Sequence, residues 1–304
     1  MKTVCITGAF GFIGRNTAKH YAEKGWQVTG IGHGTWGRSE WKTWGLANWH
    51  AADITLDTLV TYAGKPNTII HCAGSGSVSF SIDHPFQDFQ RTVDTTAAVL
   101  EFSRIYNPSG CIVNLSSAGV YGNTNKIPIK ESSELKPISP YGTHKKIAED
   151  LCLSYAKHHG IKVTTLRFFS IYGEALRKQL LWDACMKLKN NETAFFGSGK
   201  EIRDWLHIND AVSLIFEAAR SASADAPIIN GGSGIGISVE EILKGLFLCF
   251  DRSDTPQFSG EVRCGDPINY VADISRAAEI GWEPHISWQE GVRSYAKWFK
   301  DGAN

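Results

Sequence analysis

An apolar run close to the N-terminus is followed at once by three glycines, each three positions after the last. The run is Val4–Ile6, and the glycines are Gly8, Gly11 and Gly14. This pattern predicts a strand, then a tight turn, then a helix that begins near Phe12. Glycines in such a turn let backbone N–H groups and a helix N-terminus approach a pyrophosphate. The segment therefore predicts a dinucleotide-binding turn at the start of a parallel sheet.

Length, charge and cysteine content exclude several classes of protein. A chain of 304 residues is long enough for one main domain with a second lobe. Its formal net charge of zero does not favour nucleic acid as a partner, and no apolar stretch is long enough to cross a bilayer. The first strand starts directly after Met1-Lys2, which leaves no room for a signal peptide and indicates a cytoplasmic location. The seven cysteines are widely separated, so we expect reduced core residues and no metal site.

Strand-like apolar runs alternate with helical patterns over the first 168 residues. This alternation predicts an α/β fold, a Rossmann-type doubly wound parallel sheet with a smaller C-terminal substrate-binding lobe. We expect the dinucleotide-binding domain to cover 1–168 and about 208–230, and the smaller lobe to cover 169–207 and 231–304. The tryptophan-rich stretch 35–50 predicts either aromatic packing over the sheet edge or a flap near the adenosine end of a cofactor.

Tyr141 and Lys145 lie one turn apart at the start of a predicted helix, so they share a face. A tyrosine has a pKa of about 10, and a neighbouring ammonium and a positively charged nicotinamide can lower it. The phenol could then exchange a proton with a sugar hydroxyl or carbonyl during hydride transfer. Ser117, at the end of a predicted strand, could hydrogen-bond the same oxygen. These three residues are the predicted catalytic group.

Together these motifs resemble the nucleotide-sugar epimerase/dehydratase/4-ketoreductase group of the extended short-chain dehydrogenase/reductase family, from residue 4 to about 284. The resemblance implies an NAD(P)-dependent enzyme, with Tyr141 and Lys145 also contacting the cofactor. It implies a homodimer formed through the helices at 87–106 and 140–159. The remaining implied cofactor contacts are Gly8, Phe10, Gly11, Phe12, Ile13 and Gly14 at the pyrophosphate, Asp53, Ile54, Ala73 and Gly74 at the adenosine, and Phe168.

Two arginine segments resemble the parts of that family that bind the diphosphate of a nucleoside-diphosphate sugar. They are 197–207, which contains Arg203, and 262–266, which contains Arg263. A guanidinium presents a planar pair of donors to phosphate oxygens, so two of them suit a diphosphate. The resemblance also implies substrate contacts from Ser75, Ser117 and Ser170, although Ser170 replaces an asparagine that is common in the family.

The end of the second predicted strand departs from the NAD-using members of the family. Gly32 stands where those relatives carry an acidic residue that accepts both ribose hydroxyls. Because a carboxylate would repel a 2′-phosphate, its absence favours NADP, with His33 and Arg38 as candidate phosphate contacts. The alternative is a glycine-rich turn with a structural histidine, which leaves NAD as the cofactor.

The serine motif also departs from the dehydratases, since Ala118-Gly119 carries no acid pair. We therefore expect chemistry at C4 of the sugar without loss of water. The main expectation is an NADPH-dependent 4-keto-sugar reductase; the alternative is a nucleotide-sugar 4-epimerase that retains its NAD(P). A non-catalytic NADP-binding sensor is a remote third possibility, disfavoured because Ser117, Tyr141 and Lys145 are all present. The substrate class suggests a role in polysaccharide biosynthesis.

Overall fold

The computed structural model describes residues 1–124, 126–261 and 269–302. Its strands are β1 (Thr3–Thr7), β2 (Gln27–Gly32), β3 (Asn48–Ala51), β4 (Thr68–His71), β5 (Cys111–Ser117), β6 (Lys162–Phe168), β7 (Ser170–Tyr172), β8 (Ala194–Phe195), β9 (Ile202–His207), β10 (Ile228–Gly231), β11 (Gly236–Ser238) and β12 (Gln257–Phe258). Its α-helices are α1 (Phe12–Glu23), α2 (Glu40–Thr43), α3 (Leu56–Tyr62), α4 (Val78–Asp83), α5 (Pro85–Phe89), α6 (Thr95–Tyr106), α7 (Pro140–His159), α8 (Gln179–Lys189), α9 (Ile208–Ala218), α10 (Val239–Cys249), α11 (Ser275–Glu279) and α12 (Trp288–Lys300). A π-helical turn, Gln90–Asp94, joins α5 to α6.

The main sheet confirms the predicted doubly wound fold. Within the described ranges it has seven strands in the order β10-β6-β5-β4-β1-β2-β3, and every neighbouring pair is parallel. Strand β10 joins β6 after helix α9, so the chain returns to this sheet from the second lobe. The central strands are apolar and buried because helices cover both faces of a parallel sheet. Their carboxyl ends meet along one edge, where ligands of such sheets bind.

Strand β3 was not predicted from the sequence. Its four residues, Asn48–Ala51, include no buried side chain, because the strand lies at the edge of the sheet beside β2. An edge strand this short lacks the apolar run by which the other strands of the sheet are recognised.

The second lobe has a small sheet of its own, which the sequence analysis also did not predict. Strand β9 pairs in parallel with β7 and antiparallel with β11. Helices α8, α10 and α12 pack beside it around a separate apolar core that includes Leu181, Leu246 and Tyr295. Within the described residues the chain passes between the two cores after β6, after β9 and after β10, and again before and after α11, because Ala277 and Trp282 pack in the core of the main sheet while α12 packs in the second core.

The tryptophan-rich stretch packs on the sheet edge and on the glycine turn at once. The Trp36 ring meets the Trp49 ring of β3 edge-on at 5.8 Å and the Phe10 ring of the turn at 4.8 Å. The Arg15 guanidinium lies 4.9 Å from both the Phe10 and Trp36 ring centres. This aromatic cluster holds the loop after β2 against the start of α1.

The described cysteines are Cys5, Cys72, Cys111, Cys152, Cys185 and Cys249, and all of them are free thiols. Cys264 lies outside the described residues. No helix in the described ranges combines the length and apolar character that a membrane span requires.

Candidate active site

Backbone crowding at the carboxyl ends of β1 and β4 explains the glycine turn. Gly8 has a φ of +68°, and a Cβ there would lie 2.8 Å from the Ala73 nitrogen. A Cβ on Gly14 would lie 2.3 Å from the Gly8 carbonyl oxygen, so α1 could not pack so close to the turn. Gly11 occupies the N-cap of α1 and has no side chain to cap the helix. The first N–H groups of α1 are thus presented to an anion, as a dinucleotide pyrophosphate requires.

The other predicted pyrophosphate contacts surround this turn. Phe10, Phe12 and Ile13 are partly buried and pack against the main core. The Phe10 carbonyl oxygen accepts hydrogen bonds from the Arg15 side chain, at 3.0 Å from Nε and 2.5 Å from Nη2. These contacts fix the shape of the turn before any ligand binds. The site residues therefore fit a dinucleotide at its pyrophosphate.

A buried hydrogen-bonded chain connects the turn to the segment after β4. His71 Nδ1 lies 2.8 Å from Thr7 Oγ1, and Nε2 lies 3.1 Å from Thr96 Oγ1. Thr96 donates to the Thr92 carbonyl oxygen at 2.6 Å, so its hydroxyl is left to accept the His71 Nε2 proton. Burial, with Lys145 nearby, lowers the pKa of His71 to about 3, so the ring is neutral. The chain ends at Ala73, whose N–H donates to Thr7 Oγ1 at 3.3 Å.

The three predicted catalytic residues converge at the carboxyl end of β5. Ser117 is the last residue of β5, and its hydroxyl is hydrogen-bonded to the Tyr141 phenol. Lys145 Nζ lies 5.9 Å from the centre of the Tyr141 ring. Helix α7 begins here because Ser139 caps it, accepting the Gly142 N–H at 3.2 Å, and Pro140 occupies its first turn.

Burial shifts the proton affinities of this group in opposite directions. It raises the pKa of the Tyr141 phenol, an effect opposed by the hydrogen bond from Ser117. It lowers the pKa of Lys145 to about 8, an effect opposed by the charge of Asp88. Near neutral pH the site therefore holds a protonated phenol beside an ammonium, and this ammonium loses its proton above about pH 8. A cationic ring bound next to them would favour the phenolate.

The ammonium of Lys145 also approaches the segment that the sequence analysis assigned to the adenosine ribose. A Cβ on Gly74 would lie 3.3 Å from Lys145 Nζ and 3.7 Å from Thr92 Oγ1. The Ser75 N–H donates to the same Thr92 hydroxyl at 3.3 Å, so Ser75 lies at the wall of the site. Phe168 ends β6 beside Ser117, but its ring is buried in the main core.

At the predicted adenosine end, His33 and Asp53 form a contact that the sequence analysis did not anticipate. His33 Nε2 lies 2.7 Å from Asp53 Oδ1, and both side chains are largely exposed. His33 directly follows Gly32 of β2, where a Cβ would lie 3.2 Å from Gly8 Cα. Ile54 is buried in the core, and Arg38 is exposed in the loop before α2. The predicted phosphate contact His33 is thus already engaged by a carboxylate.

In the second lobe, Arg203 lies on β9 and Ser170 on β7, strands that pair directly with each other. Arg203 Nη1 donates to the Ile202 carbonyl oxygen at 3.0 Å. The positive charge of Arg203 acts to lower the pKa of Glu201 and the pKa of Tyr270. Arg263 lies outside the described residues. Within the described ranges no cluster of His, Cys, Asp and Glu is arranged to hold a metal ion.

The sequence analysis missed a buried pair beside the catalytic group. His144, between Tyr141 and Lys145, places Nδ1 2.6 Å from Oδ2 of Asp88 on α5. The available signal was a histidine within the Tyr-x-x-x-Lys spacing, but its partner lies 56 residues away along the chain. Pairings at such separations cannot be derived from local periodicity.

The family model described as "NAD dependent epimerase/dehydratase family" matches residues 4–232. A putative UDP-glucose 4-epimerase of Methanocaldococcus jannaschii is 28% identical, over 98% of this chain and 98% of that protein. The UDP-glucose 4-epimerase of Thermotoga maritima, solved with UDP-glucose, has a TM-score of 0.89 at 25% identity, covering 98% of this chain and 99% of its own.

Another solved structure of similar fold contains NAD as well as a nucleotide sugar. The UDP-glucuronic acid 4-epimerase of Bacillus cereus, in complex with UDP-glucuronic acid and NAD, has a TM-score of 0.88 at 24% identity and covers 98% of this chain and 99% of its own. It shares the fold, including the second lobe. By fold and by the matched family model, the chain is an enzyme of the NAD-dependent epimerase/dehydratase family, in the nucleotide-sugar group of the extended short-chain dehydrogenases/reductases.

Proposed function

We propose that the chain is a nucleotide-sugar 4-epimerase. The observation that supports this function most directly is that Ser117, Tyr141 and Lys145 meet at the strand ends, with Lys145 beside Gly74. Relatives named as UDP-glucose 4-epimerases support this function, and they favour it over the 4-keto-sugar reductase that the sequence analysis placed first.

The residues suit reversible oxidation at a sugar carbon. Tyr141, as the phenolate, removes the proton of the C4 hydroxyl, and Ser117 hydrogen-bonds to the same oxygen. Lys145 supplies positive charge that stabilises the phenolate. A bound nicotinamide would supply a reversible hydride acceptor for C4, so the reaction would consume no reducing equivalent. Proton return from Tyr141 then completes the inversion.

We propose that the cofactor is NAD, held by the turn at Gly8–Gly14 and by Asp53, Ala73 and Gly74. Two observations favour it over NADP. Asp53 puts a carboxylate 2.7 Å from His33, the predicted phosphate contact, and a carboxylate repels a 2′-phosphate. Three solved structures of similar fold hold NAD.

The proposed substrate is a nucleoside-diphosphate hexose with its diphosphate near Arg203. This arginine lies on β9 beside the strand that carries Ser170, and both Arg203 and Tyr141 act electrostatically on Tyr270. A guanidinium binds phosphate oxygens through paired donors. Arg263 is proposed as the second diphosphate contact on the family resemblance, and Ser75 and Ser170 as contacts to the sugar.

Proton NMR of the sugar anomeric signals tests the function. The purified protein is incubated with UDP-glucose, UDP-N-acetylglucosamine or UDP-glucuronic acid, with and without added NAD. We expect one of these to reach equilibrium with its C4 epimer while absorbance at 340 nm stays constant. The reductase is retained as the second candidate because Gly32 lacks the ribose-binding carboxylate. Consumption of NADPH on adding a 4-keto sugar, without epimerisation of any parent sugar, would establish the reductase and overturn the epimerase.

A homodimer through α6 and α7 is also proposed. Ile105 and Tyr106 on α6 and Leu153 on α7 expose 45%, 41% and 40% of their surfaces. Large apolar side chains exposed on adjacent helices favour a protein partner. Size-exclusion chromatography with light scattering tests this, and Leu153→Glu is expected to yield monomers.

A further inference from the structure

Asp88 and His144 form a buried pair directly behind the proposed catalytic group. The His144 side chain is 12% exposed, and the Asp88 side chain is not exposed at all. A carboxylate can only accept, so His144 donates its Nδ1 proton to Oδ2 of Asp88. The second carboxylate oxygen, Oδ1, has no hydrogen-bond partner among the described residues. A buried carboxylate left half-satisfied is costly, which marks this pair as an unusual feature of the fold.

The pair lies where three elements fix the start of helix α7. On α4, Ser81 Oγ accepts the Tyr141 N–H at 3.0 Å. On α5, Asp88 anchors His144, and the Phe89 ring meets the His144 ring edge-on at 5.5 Å. The π-helical turn that follows α5 carries Thr92, the hydroxyl that binds the Ser75 N–H. The segment from α4 to the π turn therefore packs against the first turns of α7.

The charge of Asp88 reaches both of the proposed catalytic groups. It raises the pKa of Lys145 and the pKa of Tyr141. Among the described residues, Asp88 is the carboxylate that raises the pKa of both, since Glu149 raises the pKa of Lys145 alone. The groups that face Tyr141 and Lys145 from the elements packed around them are Ser117, His71, Cys72, Asp88, Glu149 and Tyr270.

We propose that Asp88 and His144 are positioning residues of this site. His144 holds the Asp88 carboxylate in place, and the charge of that carboxylate controls how readily the Tyr141 phenol and the Lys145 ammonium lose their protons. The proposal rests on the assignment of Tyr141 and Lys145 as the catalytic pair. It does not depend on which sugar is used, or on whether the reaction is epimerisation or reduction.

Titration of the Tyr141 phenol tests the proposal without substrate. Phenolate absorbance near 295 nm is recorded against pH for the full-length protein, and the signal of Tyr141 is taken as the difference from Tyr141→Phe. The same difference is measured in the Asp88→Asn background. Asparagine keeps the shape and can still accept from His144, but it carries no charge. We expect the phenolate midpoint to fall by at least about half a pH unit, because the variant removes a negative charge that disfavours the Tyr141 phenolate.

Asp150→Asn is the matched control, because Asp150 is exposed on the same helix in an ion pair with Lys146. It is expected to leave the midpoint unchanged. Should Asp88→Asn fail to fold, Asp88→Asn combined with His144→Asn supplies two neutral amides that can bond to each other, and the same fall is expected. An unchanged midpoint in a folded variant would overturn the proposal. A fall in midpoint alongside inactivity on every nucleotide sugar would uphold it and refute the proposed function alone.

Discussion

Lys145 Nζ donates a 2.9 Å hydrogen bond to the carbonyl oxygen of Leu115, which joins the first turns of helix α7 to the end of strand β5. Ser117 lies two residues beyond Leu115, and Tyr141 lies one turn before Lys145. One hydrogen bond therefore fixes the relative positions of all three proposed catalytic side chains. Loss of the Lys145 amine would disturb both the charge and the geometry of the site.

The pKa of Lys145 predicts an upper pH limit for activity. Burial lowers this pKa from 10.5 to about 8, so the ammonium is present below about pH 8 and is lost above it. We expect the turnover rate to fall as the pH rises through about 8. Lys145→Met should be about 100- to 1,000-fold slower at pH 7, the usual scale for losing one group that stabilises charge in an active site. A rate that still rises between pH 8 and 9.5 would contradict this role.

The same shift predicts an opposite trend in stability. Between about pH 8 and 10.5 the unfolded chain holds the Lys145 proton and the folded chain does not, so unfolding free energy gains a term that rises with pH. Urea unfolding of wild type and Lys145→Met isolates this term from other titrations. Their difference in unfolding free energy should grow in favour of the wild type across that interval. A flat difference would show that burial does not perturb the lysine.

Tyr141→Phe is expected to lower kcat by about 100- to 10,000-fold with little change in KM, because only the proton-transferring hydroxyl is removed. Tyr155→Phe is the matched control on the same helix, since the Tyr155 hydroxyl contacts Glu101 far from the glycine turn. Steady-state kinetics with the sugar that the NMR assay identifies compares the two variants. Equal losses in both would attribute the effect to helix α7 as a whole.

Gly14→Ala is expected to abolish cofactor retention, because its Cβ would lie 2.3 Å from the Gly8 carbonyl oxygen and would force α1 away from the turn. In Gly37→Ala the nearest atom is the end of the exposed Glu40 side chain at 3.3 Å, so this variant should retain cofactor normally. Chromatography of nucleotide released on denaturation measures the bound fraction. Wild-type occupancy in Gly14→Ala would argue against the turn as the pyrophosphate site.

Arg167 and Glu149 form a buried ion pair behind the site, and both are 2% exposed. Arg167→Met leaves Glu149 as an uncompensated buried charge, which typically costs about 3–5 kcal/mol. Lys146→Met is the control: it removes the exposed ion pair between Lys146 and Asp150, which lies one turn further along α7. It should lower the free energy of unfolding by less than about 1 kcal/mol. Urea unfolding distinguishes the two. If Arg167→Met lowers the free energy of unfolding by less than about 1 kcal/mol, water must reach Glu149 and solvate its charge.

Asp53→Asn tests cofactor choice, because it removes the carboxylate that engages His33. We expect the ratio of the Kd for NADP to the Kd for NAD to fall several-fold, since a neutral amide does not repel a 2′-phosphate. Fluorescence titration with each nucleotide measures the ratio. Asp57→Asn, nearby at the start of α3, is the control. Tighter binding of NADP than NAD by the wild type would restore the expectation made from Gly32.

The features that were predicted correctly from the sequence are those encoded by short stretches of the chain. The glycine turn, the Tyr141–Lys145 spacing and the buried strands each depend on residues within a few positions of one another. The short strands β3, β7 and β9 were missed because their pairing is set by distant segments; Ser170, for example, pairs with Trp205. The contacts His33–Asp53 and Asp88–His144 were missed for the same reason. Periodicity reports how a segment faces its core, and it does not report which segment it meets.

The five passages of the described chain between the lobes restrict how the second lobe can move. Three of them are short: β6 runs almost directly into β7, β9 into α9, and β10 into the turn before β11. A lobe tethered at five separate points cannot swing about a single hinge without bending all of them. Nucleotide sugars are therefore expected to enter and leave through rearrangement of surface loops around a nearly fixed frame. Specificity can change in such a frame by loop substitution, while no single cleavage can free the lobe as an independent module.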